Sequence, residues 1–141
     1  MKEEFPEKYY NLQYSRFKKI AGYKYKTKNG EKVRNFFEKK VADFLFDSGI
    51  SYEYEPLVNI DKKYFFPDFL INGNIILECT EWKGHDKAVK LNKKINYLKK
   101  RFSVFVIIPR SLSIYYQKIE KSKLIYYEEL TLKFKNGIIV N

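Results

Sequence analysis

The chain has 141 residues, 45% of them hydrophobic and 18% aromatic, with 28 Lys and Arg against 17 acids and a formal net charge of +11. That is enough apolar material for one core, which excludes a disordered basic tail, and too little chain for two ordinary domains. A folded domain this basic attracts polyanions, nucleic acid before an anionic membrane surface.

Cys79 is the single cysteine, so neither a disulfide framework nor a Cys-based zinc site can form within one chain. The opening "MKEEFPEKYY" lacks an apolar signal region, and no stretch approaches the ~18 apolar residues of a membrane span. A cytoplasmic protein with no membrane partner is expected.

Residues 1–30 mix Tyr, Phe, Lys and Arg without a sustained period and read as a basic arm ending at the Asn29-Gly30 turn. From there Val33, Phe36, Phe37, Val41, Phe44 and Leu45 form one stripe at helical spacing. This predicts a helix over 32–47, stopped by Gly49. "ISYEYEPLVNI" predicts a strand that bends, bulges or lies at an edge at Pro56. "YFFPDFLI" and "NIILECTEW" predict two strands of a hairpin. Helical spacing returns from His85 to Lys100, through Ala88, Leu91, Ile95 and Leu98, with lysines on the other faces. "FSVFVIIP" has the continuous apolar run of a strand buried on both faces. Beyond it "SLSIYYQKIEKSK" predicts a short helix, "LIYYEEL" a strand and "TLKFKNGIIVN" a terminal hairpin at Asn136-Gly137. The order favours an α/β fold, a mixed β-sheet flanked by helices, in one domain with a core over 31–109 and an extension over 110–141.

Glu78 interrupts the apolar run Ile75-Ile76-Leu77, where a charge is costly without a partner. Whether it meets Asp68 depends on register. A two-residue Asn72-Gly73 turn sets Asp68 against Leu77. A three-residue loop, Asn72-Gly73-Asn74 with Asn74 taking the left-handed conformation, sets Asp68 against Glu78 with Cβ atoms ~5 Å apart. Carboxylates so placed repel and call for a cation, and a hard divalent ion such as Mg²⁺ suits them. Glu38 lies at the edge of the first helix's stripe, either a flanking charge or, if that helix packs on the sheet, an acid aimed at the pair.

The segments "GEKVRNFFEKKVADFLFDSGISYEYEP", "FFPDFLI" and "IILECTEWKG", in this order, resemble the core of the PD-(D/E)XK nuclease superfamily. The likeness covers about residues 30–109. The segment around Gly84, His85 and Asp86 is also similar to very-short-patch-repair endonucleases and related small nucleases. The resemblance implies a restriction-endonuclease-like core (αβββαβ) and hydrolysis of DNA phosphodiesters with Mg²⁺ or Mn²⁺, the small unit cutting duplex DNA as a homodimer. It also implies Asp68 and Glu78 as catalytic metal ligands and Glu38 as the helical acid.

The departure is at Thr80, where the family has a lysine whose charge orients water and offsets charge growing on the phosphate. Either activity is lost or another lysine substitutes, Lys83 before Lys94. His85, the sole histidine, is a general base or a polar residue at a helix start. Trp82 walls the site, stacks on a base or packs in the core. Lys18, Lys19, Lys24, Lys26 and Lys28 of the arm and Lys87, Lys90, Lys93 and Lys94 of the second helix are expected to meet phosphates. The competing readings are a binding module without catalysis on the same fold and a structure-selective Holliday-junction-type resolvase.

Overall fold

The first helix starts at Phe36 rather than at residue 32, because Asn35 caps it: its side chain accepts the Glu38 N–H at 2.9 Å. The residues before it are spent on a small antiparallel ribbon in this computed structural model. It pairs β1 (Tyr25–Lys26) with β2 (Lys32–Val33). The helix, α1 (Phe36–Asp47), buries Phe37, Val41, Ala42 and Leu45. Gly49 closes it in the left-handed region at φ 73°. The structure describes residues 22–135. Lys18, Lys19 and the expected hairpin at Asn136-Gly137 fall outside them. The chain divides into two compact units, 1–48 and 49–141.

In the second unit the stretches expected as single strands are broken at their prolines. "ISYEYEPLVNI" forms β3 (Tyr52–Tyr54) and β4 (Val58–Ile60), parting where Glu55 takes a left-handed φ of 49° ahead of Pro56. β5 (Lys63–Phe65) folds back on β4 as a separate hairpin, and Pro67 separates it from β6 (Phe69–Ile71). β7 (Ile75–Cys79), helix α2 (His85–Leu98) and β8 (Ser103–Ile108) follow. The short helix expected after Pro109 is 3₁₀, at Arg110–Tyr116 and Lys121–Lys123. β9 (Leu124–Tyr126) is a strand as expected. The segment Leu130–Lys135 is helical (α3), not the first arm of a hairpin.

The result is an α/β architecture with a mixed five-stranded sheet in the order β3-β6-β7-β8-β9. β3, β6 and β7 are antiparallel, whereas β8 and β9 run parallel to β7. The parallel step from β7 to β8 needs a crossover, and α2 supplies it. Ala88, Ile95 and Leu98 of α2 pack on Leu70, Ile76, Val104, Val106 and Ile108, which alternation places on one sheet face. Among the described residues no helix is long and apolar enough to cross a membrane.

Candidate active site

The β6–β7 hairpin settles the register question. Ile71 pairs with Ile75 and Phe69 with Leu77, so the loop has three residues and Asp68 stands across from Glu78. The left-handed positions are Asn72 (φ 54°) and Gly73 (φ 75°), not Asn74, whose N–H instead closes the turn on Ile71 O at 3.2 Å. Positive φ at both central positions matches the twist of the flanking strands, and Asn-Gly is the pair that tolerates it.

β3 adds a further acid to the row. Tyr54 pairs with Phe69, so the next position sets Glu55 across from Asp68, and the Glu55 N–H donates to Asp68 O at 2.9 Å. A carboxylate oxygen of Glu55 lies within 4.8 Å of one of Asp68. Glu55, Asp68 and Glu78 are each 4–5% exposed, the first just past the end of β3, the second just before β6 and the third within β7. Nothing within "YEYEP" marks Glu55 out from Glu53. Only the long-range β3–β6 pairing does.

Repulsion between Asp68 and Glu78 is offset by donors of the protein itself. The Asp68 N–H donates to Glu78 Oε2 at 3.1 Å, and the Cys79 N–H donates to Asp68 Oδ2 at 2.7 Å. Lys94, reaching down from α2, places Nζ 3.0 Å from Glu78 Oε1 and 3.3 Å from Phe66 O. Of the two candidate substitutes for the missing motif lysine, then, Lys94 touches the carboxylate row. Lys83, the first choice from sequence, is exposed in the segment between β7 and α2.

Thr80 has a different task. Its hydroxyl accepts the Trp82 N–H at 3.2 Å and lies 3.2 Å from the Tyr116 hydroxyl, which donates its one proton to Trp82 O at 2.8 Å. Thr80 is therefore the donor toward Tyr116. The three groups lock the chain where it leaves β7. Burial pushes the Tyr116 hydroxyl pKa up, with the Thr80 bond working against it. The sequence carried no sign that Tyr116 would reach this point.

The chain matches no family model and no curated protein.

The remaining expected residues lie as follows. Glu38 is buried in the first unit, where its carboxylate takes the Arg34 N–H at 3.1 Å and the Arg34 guanidinium at 2.5 Å, closing the start of α1. His85 begins α2, exposed and edge-on to Tyr115. Trp82 is half exposed rather than in the core, with the Lys87 ammonium 4.9 Å from its ring. Lys90 and Lys93 are exposed on α2, and Lys24 and Lys26 beside and within β1. Lys28 is engaged with Asp47 at 2.7 Å, which raises its pKa.

Glu55 and Asp68 offer hard oxygen donors that could together hold a divalent ion. Glu78 borders that position with an oxygen on Lys94.

Proposed function

We propose that the chain is a metal-dependent endonuclease acting on DNA, with a restriction-endonuclease-like core. The observation that carries this reading is the row of buried carboxylates just past the end of β3, just before β6 and within β7, with the Lys94 ammonium on Glu78. Such a row is expensive to bury and has no packing purpose that apolar residues would not serve better. The element order of the second unit, with β8 parallel to β7 beyond the antiparallel strands, fits the resemblance read from the sequence.

Asp68 and Glu55 would hold Mg²⁺ or Mn²⁺, with Glu78 alongside. When bound, the ion supplies a low-pKa water and offsets charge on the phosphate. The residues of the chain do the rest. Glu78 fixes Lys94, whose charge then stands beside the carboxylates where the motif lysine is missing. Thr80 and Tyr116 hold the end of β7 so that the register of Glu78 is kept. Lys87, Lys90 and Lys93 meet phosphates and carry no sequence code. Action on duplex DNA as a homodimer belongs to the same proposal.

The second reading, a binding module without catalysis, is favoured by one observation: the Thr80 hydroxyl spends its proton on Tyr116 and accepts from Trp82, holding the chain rather than standing in for a charged lysine. Supercoiled plasmid and a four-way junction, incubated with Mg²⁺, Mn²⁺ or EDTA, separate the readings. Nuclease activity requires cutting in the metal that Asp68→Asn, Glu78→Gln and Glu55→Gln abolish, with Glu38→Gln reporting on the helical acid. Preference for the junction would assign a resolvase. Binding with no cutting under any condition overturns catalysis.

A further inference from the structure

At the other end of the sheet, on the same face as Glu78, α2 and the 3₁₀ turn before β9 border a groove of about 440 Å³. Ser103, which opens β8, lines it, whereas Glu78 pairs with Val106. At about 3.3 Å per residue the groove and the carboxylate row are some 10 Å apart along β8. Lys99, Lys118 and Lys123 line it against one acid, Glu120, and Asn92 and Asn96 add amides from α2.

The rim lysines share the state of most of the described lysines, with no carboxylate bound. Lys28, Lys39, Lys94 and Lys100 are each tied to a carboxylate. Among the described residues Lys99 and Lys118 have no carboxylate partner and are exposed. Lys123 is partly buried with its ammonium 5.0 Å from the Phe105 ring, which alternation places on the other sheet face, so Lys99 and Lys118 are the cations of the rim. Beneath them Ile95, Phe102, Val104 and Ile119 present narrow apolar strips, none more than 8% exposed. Two exposed lysines and the Asn92 and Asn96 amides above narrow apolar strips match a nucleotide, with its phosphate on the lysines and its nucleoside against the amides and strips.

We propose that this groove is a second nucleic-acid contact that holds a phosphate and its nucleoside from the strand being processed, about 10 Å along the sheet from the carboxylates. The assignment rests on the nucleic-acid part of the proposed function and not on catalysis. Phosphate contacts release counterions, so their loss is read in the salt dependence of binding.

The test is fluorescence anisotropy with a labelled oligonucleotide in EDTA over a salt series, which works whether or not the protein cuts. Lys99→Gln with Lys118→Gln is compared with Lys133→Gln and Lys135→Gln, which carry the same charge change outside the groove. The groove variant should weaken binding about tenfold or more at low salt and flatten the slope of log K against log salt by ~1.4–1.8, while the control moves it by less than half that. Equal effects in both variants, or none in the groove variant, overturn the groove with the nuclease reading intact. A wild-type protein that binds no oligonucleotide at low salt overturns both the groove and the nucleic-acid reading.

Discussion

Replacing Lys94 with methionine isolates the cost of Glu78 in its site. Nζ lies 3.0 Å from Oε1, with the Lys94 side chain 27% exposed and that of Glu78 5% exposed. Removing one partner of a fully buried pair costs about 3–5 kcal/mol, and an exposed pair is worth ~0–1. Water reaches one side of this pair, so about 2–3 kcal/mol is expected for Lys94→Met. Methionine keeps most of the stem's packing, so the loss reports on charge. In Glu78→Gln the carboxylate itself is gone, so adding Lys94→Met should cost less than it does in wild type, with a coupling of ~1.5–2 kcal/mol across the double-mutant cycle. Urea unfolding at pH 7 followed by two probes measures it. With m of roughly 2 kcal/mol per molar, the single variant lowers the midpoint by about 1 M. A coupling below ~0.5 kcal/mol would mean that Lys94 is in effect solvated, and the argument that it completes the carboxylate row would fail.

Tyr116→Phe removes the donor to Trp82 O and should cost ~1–2 kcal/mol by urea unfolding. Because the folded-state pKa of this tyrosine is raised, wild-type stability attributable to it is full below about pH 10 and is lost as pH rises through the folded value, a loss absent from the variant. Gly73→Ala, at φ 75°, should cost about 1 kcal/mol, and Asn72→Val at φ 54° at least as much, since both strain the turn that sets Asp68 against Glu78. Asp43 is pushed up by burial, but its bonds to Lys39 and the Lys28 N–H and their charges win, so its pKa is lowered. Its contribution is present above about pH 3.9 and lost as pH falls through the folded value, so Asp43→Asn should flatten that part of the acid unfolding profile. Ile76→Ala, beneath α2 and fully buried, should lower stability by about 2–5 kcal/mol in the same urea assay.

The local pattern was enough for what local chemistry decides. The α1 stripe, the Gly49 stop, the α2 periodicity and the apolar run of β8 were legible because each is written within one turn or one strand. Asn72-Gly73 announced a hairpin for the same reason, and Glu78 stood out because a charge inside an apolar strand needs a partner. The strand breaks at Glu55 and Pro67 were less legible, since a proline in an apolar run allows a bend, an edge or an end. What joins the residues of the site is long-range. Asp68 meets Glu78 through a register the sequence left as two alternatives, differing by one residue and reversing the face of every side chain. Glu55 joins them through pairing between strands separated by the whole β4–β5 hairpin. Lys94 displaces Lys83 because a flexible stem on a helix reaches whatever its packing angle puts beneath it, and that angle is set by Ala88, Ile95 and Leu98 against the sheet. Composition specified a basic, aromatic-rich chain, and local pattern specified an α/β order of elements with an acid inside an apolar strand. Only tertiary pairing decided which acids stand together and which lysine answers them, because those distances depend on contacts between residues far apart in the chain.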